Sequence, residues 1–174
     1  EVQAGTAAPA LYDRVVIATH SDEALAMLAD PTPAERQVLG AILYQANDTV
    51  LHTDQRLMPK RRRAWASWNY YLPATPAGLP TLTYDMNSLQ TLDSGRHFLV
   101  TLNRGAEIDA GEVLGRYEYH HPLFDTGALA AQQRWAEISG ADRIHYCGAY
   151  WGYGFHEDGV VSAQRVAQQL SVEA

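Results

Sequence analysis

The sequence YCGAYWGYGFHEDGVVSAQRVAQQL, residues 146–170, decides how this chain is interpreted. Residues 144–149 form an apolar run typical of a buried strand, and apolar residues then return at helical spacing on one face. The glycine-rich turn between them is therefore predicted to join a strand to a helix. Such a turn presents free backbone N–H groups and the positive end of a helix dipole, which suit a phosphate or another electron-rich acceptor. The apolar helical residues are Val160, Ala163, Val166, Ala167 and Leu170.

The turn itself, GYGFHEDG at residues 152–159, has a G-x-G but no third glycine at dinucleotide spacing. It also does not open a β-α-β unit, as the dinucleotide fingerprint should. Gly152 and Gly154 allow close approach of a ligand to the backbone. Glu157 and Asp158 fall in a first helical turn, where negative charge is favoured. From the residues alone, a ligand-binding turn and an ordinary turn with a cap both stay open.

Composition limits the classes of function. The chain has 174 residues, enough for one domain, and a net charge of −7 with a single lysine, Lys60, which argues against a nucleic-acid surface. The basic run Arg61–Arg63 is interpreted as a solvated loop. Because Cys147 is the only cysteine, no internal disulfide and no cysteine-based zinc site can form. Neither a signal peptide nor a membrane-spanning stretch is visible, so we expect a cytoplasmic protein.

The two ends of the chain are predicted to share one layer. Leu11–Thr19 has a continuous apolar centre, as in a strand of a parallel sheet, and we place it in the same layer as Ile144–Ala149. A helix capped by His20 or Ser21 should follow. The next segment, Thr32-Pro33-Ala34-Glu35, offers a capping box with proline at the first helical position.

The middle of the chain has a different pattern, which predicts an antiparallel sheet followed by a helix over Thr126–Ser139. Its β-rich stretches are ILYQANDTVLHT, WASWNYYL, TLTYDMN, HFLVTL and VLGRYEYH, with Pro73, Pro76, Gly78, Pro80 and Gly95 at the turns between them. The expected fold class is α+β. We predict three parts: residues 1–40 and 141–174 in one layer, and residues 41–140 as an inserted antiparallel subdomain.

Three groups of side chains are candidates for chemistry. Histidines and carboxylates cluster loosely, but adjacent residues in a strand point to opposite faces, and Pro122 suggests a strand end, so we predict no metal site. Cys147 could be a nucleophile or, as we favour, a small core residue. The aromatic residues could line an apolar cavity or fill a core, and packing is favoured. The first group is His120, His121, Asp125, His145, His156, Glu157 and Asp158, and the third is Trp65, Trp68, Tyr70 and Tyr71.

Five stretches together resemble a bacterial family of predicted NAD/FAD-binding, amine oxidase-like flavoproteins, and the resemblance covers nearly the whole chain. These stretches are YDRVVIATHSDEALAML (12–28), VLHTDQRLMP (50–59), AWASWNYYL (64–72), YHHPLFD (119–125) and YCGAYWGYGFHEDGVVSA (146–163). Members of that family are similar to the broader flavin amine oxidoreductases, which include monoamine oxidases, protoporphyrinogen oxidase and phytoene desaturases. In that group an N-terminal G-x-G-x-x-G motif binds FAD, and no such motif occurs here.

The resemblance implies that the chain is the C-terminal part of a longer flavoprotein. Leu11–Thr19 would then belong to an FAD-binding layer that a missing N-terminal segment completes, and the middle sheet would bind the substrate. At Tyr150 this sequence differs from many relatives, which carry an acidic residue just after the strand. By position, the implied cofactor-binding residues are Gly148, Ala149, Gly154, Phe155, His156, Glu157, Asp158 and Gly159.

The predicted activity is hydride transfer from a small-molecule substrate to flavin. The substrate is left open between an amine and an apolar isoprenoid or acyl chain. No side chain is assigned as catalytic, while Trp68, Tyr70 and His156 are candidates for the face where substrate meets flavin. The alternative is a binding or assembly module without redox activity of its own.

The chain begins at Glu1 rather than methionine, which fits the expectation of a fragment. Alone, it should fold at least in part but should not hold FAD tightly, because half of the cofactor's contacts would be missing. Its unpaired strand edges should favour self-association.

Overall fold

The structure, a computed structural model, describes residues 1–73 and 78–172. The chain divides into two compact units, one formed by Glu1–Gln45 with Pro122–Ala174 and the other by Ala46–His121. The helices and a mostly antiparallel sheet confirm the α+β class. The three-part division predicted from the sequence stays a prediction.

The element bounds are as follows. The strands are β1 (Val15–Ile17), β2 (Leu43–His52), β3 (Trp68–Tyr71), β4 (Thr81–Asp85), β5 (Leu99–Leu102), β6 (Val113–Leu123) and β7 (Ile144–Tyr146). The α-helices are α1 (Ser21–Met27), α2 (Pro33–Gly40), α3 (Met86–Gln90), α4 (Thr126–Gln132), α5 (Trp135–Ile138) and α6 (His156–Val172). Both unit boundaries fall inside strands, one in β2 and the other in β6.

The two ends of the chain share one layer, as predicted, and their strands pair directly. β1 runs parallel to β7, with Val15 opposite Ile144. Both strands are shorter than expected. Leu11 is 85% exposed and lies outside any strand, because no neighbouring strand in the described residues pairs with that part of the predicted span Leu11–Thr19. Likewise, β7 ends at Tyr146 and does not continue to Ala149.

The helices of this unit begin where the capping residues predict. His20 caps α1, and α2 starts with the predicted capping box. There, the backbone N–H of Glu35 donates to Thr32 Oγ1 at 3.2 Å, and the N–H of Thr32 donates to Glu35 Oε2 at 2.8 Å. These hydrogen bonds satisfy backbone N–H donors that the start of a helix would otherwise leave without a partner. The buried core of the unit consists of Ile17, Ala24, Val38, Leu39, Ala131, Ile138 and Tyr146.

The predicted helix Thr126–Ser139 is interrupted, so the prediction of one continuous helix is wrong. Asp125 starts α4 by accepting a hydrogen bond from the N–H of Ala128 at 2.7 Å. At Arg134 the backbone leaves the helical conformation (φ −95°, ψ 9°) before α5 begins. This break places the Trp135 indole so that it donates to the carbonyl oxygen of Tyr146 at 2.8 Å. The chain thus forms a buried hydrogen bond to β7 where one continuous helix was predicted.

The apolar face predicted for the last helix is buried only in part. α6 forms as expected, but Val160 is 50% exposed, and Ala163 and Ala167 are exposed too. Of the predicted face the helix buries Val166, with Leu170 packed against the same cluster, and it also buries Ser162. The burial is rotated because Ser162 forms hydrogen bonds at the closing turn, which hold its side of the helix inward.

The Ala46–His121 unit contains most of a five-stranded sheet in the order β3-β4-β5-β2-β6. The described pairs β2–β5, β3–β4 and β4–β5 are antiparallel, as predicted. β6 continues through Pro122 to Leu123, so the predicted strand end at Pro122 is wrong. An edge strand tolerates proline because one of its sides needs no N–H donor. Pro76, in the predicted turn between β3 and β4, lies outside the described residues.

One face of this sheet is buried although it carries polar side chains. The backbone N–H of Asp54 donates to His52 Nδ1 at 3.1 Å, so His52 carries its proton on Nε2 and donates to Thr101 Oγ1 at 2.7 Å. Thr101 and Thr83 share a further hydrogen bond of 2.8 Å. Burial lowers the pKa of His52. The face therefore holds a neutral network whose polar atoms satisfy one another.

The opposite face of the sheet is apolar and partly exposed. Trp68 lies directly opposite Tyr84, and their rings meet edge to face at 5.2 Å. Trp68 is 51% exposed, and Tyr70, two residues along the same strand, is 58% exposed. Because cross-strand partners share a face, the register gathers Trp68, Tyr70, Leu82, Tyr84, Val100 and Leu102 on this surface.

Candidate functional site

The closing turn joins β7 to α6 as the sequence predicts. After Tyr146 the chain passes through Cys147 and Gly148, makes a short 3-10 turn over Ala149–Trp151, and enters the 17-residue helix α6 at His156. A Cβ atom at Gly148 would lie 2.5 Å from the Tyr150 ring, so only glycine fits there. Gly154 has φ of 87°, a conformation that glycine adopts without strain.

The carboxylate of Asp158 fixes the shape of this turn. Its Oδ2 accepts hydrogen bonds from the backbone N–H groups of Tyr153, at 3.1 Å, and Phe155, at 2.9 Å. A Cβ atom at Gly152 would overlap the same carboxyl group. The Asp158 side chain therefore acts on its own loop, and the missing Cβ of Gly152 makes room for it.

Two further side chains, neither of them predicted from the sequence, support the turn. Ser162 accepts from the N–H of Gly148 at 2.9 Å and donates to the carbonyl oxygen of Gly159 at 2.8 Å. Gln132 donates from Nε2 to the carbonyl oxygens of Tyr150, at 2.9 Å, and Gly152, at 2.7 Å. Because Ser162 lies in the predicted helix close to the glycines of the turn, its role in holding the turn could have been predicted from the sequence. Gln132 lies in α4, away from the turn in the sequence, so no local pattern indicated its role.

Free donors remain at the start of α6. The backbone N–H groups of His156, Glu157 and Asp158 make no hydrogen bond within residues 1–73 and 78–172. Of the other predicted cofactor-binding residues, Gly148, Gly154 and Phe155 use their N–H groups inside the protein. The first turn of α6 thus fits an electron-rich acceptor such as a flavin carbonyl or a phosphate oxygen.

Tyr150 lies beneath this turn and does not point into solvent. It is 3% exposed and packs against Ile42 and Ala128. Its hydroxyl and the indole N–H of the adjacent Trp151 are buried and have no hydrogen-bond partner in the described part of the chain. Burial raises the pKa of Tyr150, so its hydroxyl stays protonated. At this position an acidic side chain would be placed in the core, which explains why tyrosine suits this fold.

Cys147 is a core residue, as predicted from the sequence. It packs against Trp135 and Val166, and burial raises the pKa of its thiol. A protonated, buried thiol is a poor nucleophile.

The candidate metal-binding side chains point to separate partners. His120 contacts Glu118 at 3.2 Å, His121 contacts Asn47 at 3.0 Å, and His145 contacts Gln169 at 3.1 Å. Within the described residues, no group of three or more histidine, cysteine, aspartate or glutamate side chains could hold a metal ion.

The predicted site residues thus fall in both units. The closing turn gathers the implied cofactor-binding residues in the Glu1–Gln45 and Pro122–Ala174 unit, while Trp68 and Tyr70 belong to Ala46–His121. No helix among the described residues is both long and apolar enough to cross a bilayer.

The fold is shared with solved structures of oxidases. No known protein-family profile and no curated protein sequence matches the chain. A putrescine oxidase triple mutant with redesigned cofactor binding matches with a TM-score of 0.53 and 18% identity, over 92% of this chain and 43% of that one. A double mutant of putrescine oxidase matches with a TM-score of 0.52 and 16% identity, over 91% of this chain and 42% of that one.

The third match is a protein assigned as a protoporphyrinogen oxidase, from Exiguobacterium, with a TM-score of 0.51 and 15% identity, over 93% of this chain and 42% of that one. At such identities the likeness establishes the fold and nothing finer. The chain spans about two fifths of the length of the structures that it matches.

Proposed function

We propose that the complete protein is an FAD-dependent oxidoreductase of the flavin amine oxidase type, and that this chain is its C-terminal portion. The observation that carries the proposal is the fold shared with oxidases over more than nine tenths of this chain. The sequence resemblance to amine oxidase-like flavoproteins supports it independently, because it implied the same group, protoporphyrinogen oxidase included.

In this proposal the closing turn contacts the cofactor. The N–H groups of His156, Glu157 and Asp158 are the free donors for it, and Gly154 keeps the turn open beside them. The Asp158 carboxylate, Gly148 and Phe155 act by holding the turn in shape. When bound, FAD supplies the hydride acceptor, and the protein supplies orientation and electrostatics. The proposed cofactor-binding set is Gly148, Ala149, Gly154, Phe155, His156, Glu157, Asp158 and Gly159.

The substrate would lie against the apolar face of the five-stranded sheet. Trp68 and Tyr70 are exposed there beside Tyr84, so this face can exclude water from a small molecule. Such a surface suits an isoprenoid, an acyl chain or the hydrocarbon part of an amine. An unbiased substrate screen of the full-length enzyme distinguishes these classes.

The decisive experiment is the absorption spectrum of the purified full-length protein. We expect flavin bands that persist after removal of free cofactor. A full-length protein that neither carries flavin nor takes it up would overturn the proposal and favour a binding or assembly module. The reading frame upstream of Glu1 offers a second test, since it should encode a strand followed by G-x-G-x-x-G.

A further inference from the structure

A polar cleft of about 590 Å³ lies within the Ala46–His121 unit. It forms where β2 ends and where β5 and β6 begin, and it is lined by residues that follow or precede these strands. Its volume is that of a small-molecule site, which is roughly 300–1,000 Å³. Its lining is mostly polar and charged, so it suits a hydrophilic ligand.

One part of the cleft is already neutralised. Asp54 is 4% exposed and accepts hydrogen bonds from Arg56 Nε at 2.9 Å and Arg56 Nη2 at 2.6 Å. It also accepts one from the backbone N–H of Asp109 at 2.9 Å. Hydrogen bonds from Arg56 hold the pKa of Asp54 far below its ordinary value. This pair forms a wall of the cleft in which the two charges neutralise each other.

Two opposite charges meet at Thr53 without pairing directly. The Thr53 hydroxyl donates to Glu112 Oε2, and Arg96 Nη2 donates to Thr53 Oγ1 at 3.4 Å. Within the described residues, Arg96 and Glu112 form no ion pair with each other or with another side chain. Since one hydroxyl bridges them, they lie within two hydrogen-bond lengths of each other, roughly 4–6 Å. One small molecule can therefore reach both.

A second guanidinium reinforces the positive side. Arg62 donates to Gln55 Oε1 at 3.1 Å and to His97 Nε2 at 2.5 Å, and it lies 4.2 Å from the centre of the Trp65 ring. None of these partners is a carboxylate, so Arg62 is held in place with its charge uncompensated. Gln55 and His97 themselves line the cleft.

We propose that this cleft binds a small zwitterion whose carboxylate and ammonium groups are close together, as in an α-amino acid. The carboxylate contacts Arg96, whose planar fork matches it, and the ammonium contacts Glu112. A ligand with only a negative charge would leave the Glu112 carboxylate unpaired, and one with only a positive charge would leave Arg96 unpaired. The pairing of both charges therefore gives the cleft its selectivity.

The test uses three probes that differ by one charged group: α-aminobutyrate, butyrate, which lacks the ammonium, and propylammonium, which lacks the carboxylate. Each is titrated into the 174-residue chain at low ionic strength, where screening is weak, while backbone amide chemical shifts are followed. We expect α-aminobutyrate to shift the amides of Thr53, Gly95 and Gly111 at a concentration at least about fivefold lower than either analogue.

Two variants test which side chain contacts which charged group of the ligand. Arg96→Gln should remove the advantage of α-aminobutyrate over propylammonium, and Glu112→Gln should remove its advantage over butyrate. Arg36→Gln, an exposed arginine on α2, is the matched control and should change neither. The dispersion of the amide spectrum shows in the same experiment that each variant is folded. If all three probes act alike, or if both cleft variants keep the wild-type preference, the proposal is overturned. No flavin is involved, so the result is independent of the proposed oxidoreductase function.

Discussion

Tyr146 and Glu35 form a buried hydrogen bond between β7 and α2. The Tyr146 hydroxyl donates to Glu35 Oε1 at 2.5 Å. Burial alone would raise the pKa of Glu35, but the hydrogen bonds from Tyr146 and Thr32 outweigh it, so the pKa is lowered. Burial, together with the nearby carboxylate, raises the pKa of Tyr146. The pair is therefore a protonated phenol and an ionised carboxylate, and it ties the helix to the strand.

Removing the phenolic hydroxyl with Tyr146→Phe should destabilise the chain by about 1–3 kcal/mol, because a buried carboxylate loses a donor while the ring still packs. Urea unfolding followed by circular dichroism measures the change. Tyr12→Phe, at a tyrosine that is 61% exposed, is the control and should stay within about 0.5 kcal/mol of wild type. Equal stability of the two variants would show that the buried bond contributes nothing.

The pair formed by Asp54 and Arg56 predicts a pH dependence. The folded pKa of Asp54 lies below its ordinary value of 3.8, so the pair's stabilisation is complete above that value. It is lost progressively as the pH falls from there toward the lower folded pKa. Asp54→Asn should therefore be less stable than wild type at about pH 7, and the difference should narrow at about pH 3. Urea midpoints at both pH values test this. The exposed Asp93→Asn should match wild type throughout.

At the scale of elements, the closing turn shows how side chains from several elements fix one backbone path. Asp158 from α6 holds the loop before its own helix, and Ser162 reaches Gly148. Gln132 adds two donors from α4. The N–H groups left free at the helix start are therefore held in a fixed arrangement before any ligand arrives, which lowers the entropy cost of binding.

The turn should not tolerate a methyl group at Gly152. In Gly152→Ala the new Cβ would overlap the Asp158 carboxyl group and displace it from the Tyr153 and Phe155 N–H groups. We expect a loss of about 1–3 kcal/mol in the free energy of unfolding. Gly95→Ala, where a Cβ meets no atom within 4 Å, is the matched control. Similar midpoints for the two variants would contradict the role assigned to Asp158.

At the scale of the whole molecule, local patterns predicted most elements because caps and alternation act over a few residues. The capping box at Thr32 and the apolar strand Val15–Ile17 are examples. The errors arose where distant contacts decide. Trp135 interrupts a helix to reach a strand carbonyl, and Ser162 turns α6 toward the glycines. The polar cleft was not predicted, since its lining comes from three separated segments.

The isolated chain should bind FAD weakly. The proposed site offers the cofactor only the start of α6, and the loss of three or four hydrogen bonds to charged acceptors, at roughly 1.5 kcal/mol each, weakens binding by several orders of magnitude. Titration followed by flavin fluorescence measures it. Saturable submicromolar binding would show that the chain alone provides a far more complete site.

The chain should also associate with itself. Within the described residues, β1 pairs only with β7, and Val16 in β1 is 45% exposed. Open strand edges and apolar side chains favour pairing with another copy. Sedimentation velocity should show a sedimentation coefficient that rises with concentration, and Val16→Lys should reduce the rise. A coefficient that stays monomeric at every concentration would rule this out.

The hydrogen bond of 3.0 Å between Asn47 and His121 has a consequence for gene architecture. It brings the last residue of the Ala46–His121 unit beside the second residue of that unit. A segment whose ends meet can be inserted into, or removed from, a coding sequence without stretching either part, so recombination can exchange it as a cassette. The same closeness permits circular permutation: a short linker would join residues 46 and 121, and new termini could open at the exposed loop around Gly95.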